Sequence, residues 1–266
     1  MPHDEIQRIQ SNYRRRLAQT WPLAPGMKIL EIGCGQGDMT AILAESVGPA
    51  GHITATDIAS PDYGAPLTLQ QATDLIKATP LGERIDFIFE CDLLDPSTSF
   101  AENAFDAAIL AHCSWYFASV QQLQRTFQAL KPWAKHLYFA EWNLNPIQVE
   151  QSAHLLAVLI QGQVEAFKAS SQANIRNPIP QEHLKRLLEE SGWTITQEAT
   201  PDTSDLQDAD WEIQMCLRES AQELETLAIP ERAKQMILTQ LEILREISQP
   251  KGNMPLPAYS LTAERS

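Results

Sequence analysis

Three glycines at alternate positions, Gly33, Gly35 and Gly37, follow the apolar run Ile29-Leu30-Glu31-Ile32. Glycine lacks a Cβ, so such a loop turns sharply and lets a ligand approach the backbone closely. Carboxylates stand around it in sequence: Glu31 just ahead, Asp57 twenty residues past Gly37, and Asp92 beyond the next apolar run. A carboxylate at a strand end accepts hydrogen bonds from both hydroxyls of an adenosine-type ribose. Asp92 is placed to reach an adenine edge, and Glu31 suits a ligand that also carries positive charge. A dinucleotide would call for G-x-G-x-x-G. Counted from Gly33, the third glycine of that pattern is Asp38. A carboxylate there repels a pyrophosphate that seeks the same helix N-terminus.

A second group of chemistry-bearing residues is Ala111-His112-Cys113-Ser114-Trp115-Tyr116-Phe117, with Glu141-Trp142-Asn143 further on. An imidazole titrates near neutral pH, so His112 is the leading general base. Its other reading is a residue whose backbone lines a ligand. Cys113 has no base paired with it in sequence, and a buried structural thiol is the alternative to a nucleophile. Trp115, Tyr116, Phe117 and Trp142 suit an aromatic pocket, a cage for a cation, or plain core. Tyr13 sits on an apolar stripe and serves either as packing or as cover over a ligand. Arg14, Arg15 and Arg16 form either a small anion site or a solvated helix face.

These groups need elements to position them. Ile6, Ile9, Tyr13 and Leu17 recur at steps of three and four, which predicts a helix closed by Pro22, Pro25 and Gly26. Strands are predicted at 27–32, 52–56, 85–90, 106–111 and 136–140, with a helix over 38–47 between the first two. Thr68 with Gln71 forms a capping-box pair that opens a helix turning Leu69, Ala72 and Ile76 inward. Ser119 with Gln122 opens another, striped by Leu123, Phe127 and Leu130. Asn145, Pro146 and Gln148 predict a helix start, and that helix runs to about Lys168. Further helices are expected over 181–190 and 211–249, the latter interrupted at Pro230. Strands are expected at 193–197 and, as an edge strand, at 257–263.

Alternating strands and helices specify an α/β class fold, a doubly wound, mostly parallel sheet with helices on both faces. Such sheets bind ligands at the carboxyl ends of their strands. The expected organisation is a single domain over 1–266, with an N-terminal helix over 1–25 and a cofactor-binding core over 26–144. Helical insertions over 145–178 and 205–249, after strands five and six, would cover a substrate.

LEIGCGQG, TATDI and FECDLL together resemble three segments of the class I, seven-strand, Rossmann-like methyltransferases that use S-adenosylmethionine. These are the first motif, the second-strand acidic site and the adenine-contacting segment. The resemblance covers roughly residues 10–145, with 193–197 and 258–263 as the last strands of a seven-stranded sheet. It implies that Gly33, Cys34, Gly35 and Gly37 pack against the cofactor and that Glu31 organises the loop and the cofactor's amino-acid end. It implies further that Asp57 and Ile58 hold the ribose and that Asp92 and Leu93 meet the adenine. Tyr13 and His112 are counted with the same site.

Methyl transfer from a sulfonium is an in-line displacement with a good leaving group, so alignment supplies much of the catalysis. A base is needed only where the acceptor must lose a proton. Magnesium-dependent members carry carboxylates at the end of strand four and an Asp-Asn pair after strand five. Ala111 and Glu141-Trp142 stand there instead, so no metal is expected. Members acting on nucleic-acid bases or glutamine show N/D-P-P-Y/F after strand four, where this chain has HCSW. The expected function is methyl transfer to a small molecule, at O or N. The alternatives are S-adenosylmethionine binding without transfer, a nicotinamide-dependent oxidoreductase, and a protein methyltransferase.

The 20 Lys+Arg against 34 Asp+Glu give a net charge of −14, which argues against nucleic acid and anionic lipid as partners. Four cysteines without a CxxC pair argue against a disulfide scaffold or structural zinc and suit a cytoplasmic setting. The longest apolar run, Leu155 to Ile160, falls far short of the ~20 residues that span a bilayer, so no membrane segment is expected. A homodimer contact would also account for the helices over 145–178.

Overall fold

The computed structural model describes residues 3–171, 173–248 and 252–266. Helix α1 (His3–Ala18) leads into β1 (Lys28–Ile32), α2 (Asp38–Val47), β2 (His52–Thr56), α3 (Leu69–Lys77) and β3 (Ile85–Ile88). Then come β4 (Phe105–Ala111), α4 (Val120–Leu130), β5 (Ala134–Trp142), α5 (Ser152–Glu165), α6 (Gln181–Glu190) and β6 (Trp193–Ala199). The chain ends with α7 (Asp208–Thr226), α8 (Glu231–Ile247) and β7 (Ala258–Arg265). The seven strands form one sheet in the order β3-β2-β1-β4-β5-β7-β6. The first five are parallel, and β7 runs antiparallel to both β5 and β6. The order reverses between β1 and β4, and at that reversal the loops above the strands part to leave a crevice.

Alternation along β1 feeds a core on each face. Ile29 packs with Leu17, Leu43 and Ile53 under α1 and α2, while Leu30 packs with Phe127, Leu130 and Leu188 under α4 and α6. Helices α5, α7 and α8 build a third core of their own, with Ala157, Ile160, Ile213, Leu241 and Leu244 at its centre. The capping box of α3 is formed by Thr68 and Gln71, and Ser119 caps α4 by accepting from the Gln122 amide. Of the expected helical stretch over 211–249, residue 249 lies outside the described residues.

Three expectations are corrected. The strand near 257–263 is interior, sheltered between β5 and β6, and β6 forms the edge. The helix expected from Asn145 starts later, at a short 3-10 turn over Val149–Gln151, and ends at Glu165 rather than near Lys168. Asn145 gives its amide to Asn143 Oδ1, and Gln148 is extended, so the chain cannot yet wind. The Gln151 side chain accepts from the amides of Ile147 and Gln148 and serves as the start signal instead. Strand β3 is shorter than expected and stops at Ile88.

Candidate active site

The glycine loop sits where β1, β2 and β4 converge. The Gly33 amide donates to the Thr56 carbonyl at 2.9 Å. Its φ is +73°, and a Cβ there would lie 2.7 Å from Cys113 Cβ, so neither the conformation nor the space admits a larger residue. Gly37, at φ +86°, precedes α2, and a Cβ on it would press on Ile76 and Phe87. Asp57 braces the loop from below: its Oδ2 accepts from the Gly35 amide at 2.8 Å and its Oδ1 from the Ala59 amide at 2.9 Å.

Glu31 is only 2% exposed, and its Oε2 has no hydrogen-bond partner. Burial pushes its carboxyl up to about 8, with Asp57 adding to the effect. Arg14 lies nearby, within 3.4 Å of Asp38 and donating to Gln10 Oε1 at 3.1 Å.

At the ends of β4 and β5 three side chains form a line. The Tyr13 hydroxyl is 2.6 Å from His112 Nε2, and His112 Nδ1 is 3.2 Å from Glu141 Oε1. Glu141 also accepts from the Trp142 amide at 3.0 Å, from the Ser114 amide at 3.1 Å and from the Ser114 hydroxyl at 2.7 Å. A carboxylate so surrounded by donors leaves His112 to place its proton on Nδ1, and Nε2 then accepts from Tyr13. His112 itself is held at φ +52°, in the left-handed region that a non-glycine residue rarely occupies. Its amide donates to the Ala140 carbonyl at 2.9 Å, which fixes that turn. The Trp142 ring stacks over Tyr13 at an interplanar angle of 3° and leans on His112.

These groups line one cavity of about 370 Å³. Among the predicted residues, Tyr13, Glu31, Gly33, Cys34, Gly35 and His112 face it, as do Trp115, Tyr116 and Trp142. Gly37, Asp57, Ile58, Asp92 and Leu93 do not. Gly37 stands at the start of α2, and the other four follow the ends of β2 and β3, where the Asp57 amide donates to the Ile88 carbonyl and the Cys91 amide to the Asp57 carbonyl. Asp92 Oδ1 accepts from the Leu94 amide at 2.8 Å. Ile58 is 57% exposed at the rim, and the Leu93 side chain is buried in the core.

The structure settles three open readings. The Cys113 thiol is buried and donates to the Ile32 carbonyl at 3.2 Å, and burial pushes its pKa well above the ordinary range. It is therefore structural rather than a nucleophile. Phe117 packs into the core instead of the cavity. Arg14, Arg15 and Arg16 diverge to separate partners, Asp38, Glu45 and Asp205, and form no common anion site. Among the described residues no group of three or more His, Cys, Asp or Glu is arranged to hold a metal, and no helix is long and apolar enough to cross a membrane.

The far wall of the cavity comes from residues the sequence did not single out. Asp208, Trp211 and Glu212, at i, i+3 and i+4 of α7, share one face and look in. His154 joins them from α5; burial lowers its pKa to about 4, and its Nδ1 accepts from the Leu256 amide at 2.9 Å. The partnership of Glu141 with His112 was also missed. A carboxylate directly after the apolar run Leu137–Ala140 was its signal.

A glycine loop at the reversal of a seven-stranded sheet, with an acid at the next strand end and a cavity above β4 and β5, defines a Rossmann-like nucleotide-cofactor fold. More narrowly, the chain belongs to the methyltransferase domain family, which it matches over residues 3–198, within the class I group that uses S-adenosylmethionine. A solved cyclopropane-fatty-acyl-phospholipid synthase-like protein from Lactobacillus casei is 38% identical, with a TM-score of 0.87 over 98% of this chain and 92% of that one. The methyltransferase phomM' of Diaporthe leptostromiformis is 33% identical over 159 residues, which is 53% of this chain and 41% of the relative. The ubiquinone/menaquinone biosynthesis C-methyltransferase of Vibrio cholerae is 28% identical over 182 residues, covering 65% of this chain and 66% of that protein. The chain thus spans less than half the length of the fungal relative it matches.

Proposed function

We propose that the protein transfers the methyl group of S-adenosylmethionine to a small organic acceptor, at oxygen or nitrogen, by in-line displacement. The observation that carries this reading is the cavity in which the Tyr13–His112–Glu141 line stands beside the glycine loop. When bound, the cofactor supplies an activated methyl group and a neutral thioether as leaving group. Glu31 is a buried acid with an orphaned oxygen, which fits the cofactor's ammonium group. Arg14 is the cationic partner for its carboxylate. Asp57 and Ile58 would hold the ribose, Asp92 and the backbone at Leu93 the adenine, and Gly33, Cys34, Gly35 and Gly37 the space in which the cofactor lies.

His112 takes the proton that an O–H or N–H acceptor releases, at Nε2. Tyr13 gives up its hydrogen bond to that nitrogen as the acceptor enters. Glu141 holds the Nδ1 proton throughout and steadies the imidazolium by charge. Helices α5 and α7 supply the wall opposite the glycine loop, through His154, Asp208, Trp211 and Glu212. The four free cysteines support a reducing, cytoplasmic setting. Transfer to carbon is the second reading, favoured by the bacterial relative's being named a C-methyltransferase.

The test is acceptor-dependent turnover. The protein is incubated with S-adenosylmethionine and a small-molecule fraction, and S-adenosylhomocysteine is quantified by chromatography. Product formation that rises with the added fraction supports the proposal. Bound cofactor with no acceptor-dependent product would leave a binding-only role.

A further inference from the structure

If Glu31 and Arg14 serve the cofactor, with Asp38 paired to Arg14, the rest of the cavity wall describes the acceptor. With Glu141 bound to His112, two further carboxylates remain there, Asp208 and Glu212, and both contact glutamines rather than the glycine loop. Gln10 Nε2 donates to Asp208 at 2.9 Å and Gln161 Nε2 to Glu212 at 2.9 Å. Among the described residues neither forms an ion pair with a Lys or Arg, although the charge of Arg14 reaches Asp208 from a distance. Arg14 is the cavity's one such side chain among the described residues, and it is engaged with Asp38. Around the two acids stand the indoles of Trp115, Trp142 and Trp211 and the phenol ring of Tyr116. Aromatic faces attract cations through their quadrupoles, and carboxylates do so through charge.

A second feature points to a ligand independently of the acids. His154 is 1% exposed and lines the same cavity. Its Nδ1 accepts from the Leu256 amide, so the neutral ring carries its proton on Nε2. No protein acceptor meets that proton among the described residues. The Trp115 Nε1–H, from a residue on the same wall, is buried without a partner. A ligand with an oxygen or another acceptor atom satisfies the His154 Nε2–H, as a donor in so buried a residue requires.

We infer that the acceptor is a small organic cation, an amine or ammonium compound that also bears a hydrogen-bond-accepting oxygen. Its charged nitrogen lies between Asp208, Glu212 and the tryptophans, and its oxygen faces His154. Burial raises the pKa of both acids above the ordinary carboxylate range. A cation between them favours their charged forms again. The inference rests on the methyl-transfer reading, since that reading removes the other charges from the account.

The test separates the two. The protein is first titrated with S-adenosylhomocysteine by calorimetry. The saturated complex is then titrated with choline, with its neutral isostere 3,3-dimethylbutan-1-ol, and with the anion 3,3-dimethylbutanoate. Choline should bind at least tenfold more tightly than either probe. The double variant Asp208→Asn/Glu212→Gln, whose amides still accept from Gln10 and Gln161, should lose that preference while its S-adenosylhomocysteine affinity stays within twofold. Equal or better binding of the neutral or anionic probe, no binding of choline, or a preference that survives the double variant would overturn the inference. A double variant that weakens S-adenosylmethionine but not S-adenosylhomocysteine would assign the acids to the sulfonium instead, and would overturn it too. Failure of S-adenosylhomocysteine to bind, seen before any probe is added, would sink the methyl-transfer reading on which it stands.

Discussion

The Tyr13 hydroxyl lies 2.6 Å from Nε2 of His112 although 99 positions separate the two residues. One belongs to the first helix and the other follows the end of β4, so the hydrogen bond forms only when α1 is docked on the sheet. On the far side, Glu141 holds the imidazole at Nδ1.

That arrangement ranks three substitutions. His112→Ala should lower the rate at saturating cofactor by about 10²–10⁴-fold, the usual scale for removing a general base. It should also flatten the rise of rate with pH. Glu141→Gln should cost less, because the base remains but its tautomer is no longer dictated. Tyr13→Phe should leave a pH dependence like that of the parent. Steady-state kinetics across pH 6 to 9 check the order, and an unchanged rate in His112→Ala would reduce His112 to a lining residue.

Asp57 accepts from the Gly35 amide and stands at the carboxyl end of β2. Asp57→Ala should therefore weaken S-adenosylhomocysteine by about 1–3 kcal/mol, the scale of hydrogen bonds to a charged group. Calorimetric titration reads the loss directly. An affinity equal to the parent's would move the ribose away from this position.

Gly33 tests the close approach of loop and sheet. Gly33→Ala places a Cβ 2.7 Å from Cys113 Cβ at a φ of +73°. The strained conformation and the clash should together cost about 1–3 kcal/mol of stability. Thermal unfolding should show a melting temperature several degrees lower. Cys113→Ser should not rescue it, because the clashing atom is Cβ rather than sulfur.

Glu31 carries a pH signature. Its folded pKa stands at about 8, above the ordinary value of 4.5, so the folded protein retains a proton that the unfolded chain has lost. Stability without cofactor is therefore greatest below about pH 4.5 for this group and falls as pH rises towards 8. A bound ammonium group favours the carboxylate, so cofactor binding releases the proton and tightens with pH through the same window, by at most about tenfold per unit. Titrations of S-adenosylhomocysteine at pH 6, 7 and 8 measure this. Glu31→Gln should bind more weakly and lose the dependence.

The sheet and its glycine loop were legible because their signals are local. Apolar runs ending in glycine or aspartate mark β1 and β2, and Thr68 with Gln71 caps α3 within four residues of chain. The order of the last two strands was less so, although a clue existed. Ala258 to Ala263 is buried without a break, as an interior strand must be, whereas β6 exposes Thr194, Gln197 and Glu198. The helix start at Asn145 was misread because Asn-Pro suits an N-cap, and nothing local showed that the Gln151 side chain would claim the amides of Ile147 and Gln148. Asp208, Trp211, Glu212 and His154 were out of reach for a different reason. Their spacing places three of them on one helix face, but only the docking of α5 and α7 over the sheet decides that this face looks into the cavity.

The most direct measurement of the central claim is the destination of the methyl group. The protein is incubated with S-adenosylmethionine labelled in its methyl carbon and a small-molecule extract, and the mixture is separated by size and read by mass spectrometry. The account predicts label in a low-molecular-mass product, acquired at oxygen or nitrogen and absent from a His112→Ala control. Label confined to protein or nucleic acid, or label that never leaves the cofactor although binding is confirmed, would contradict it.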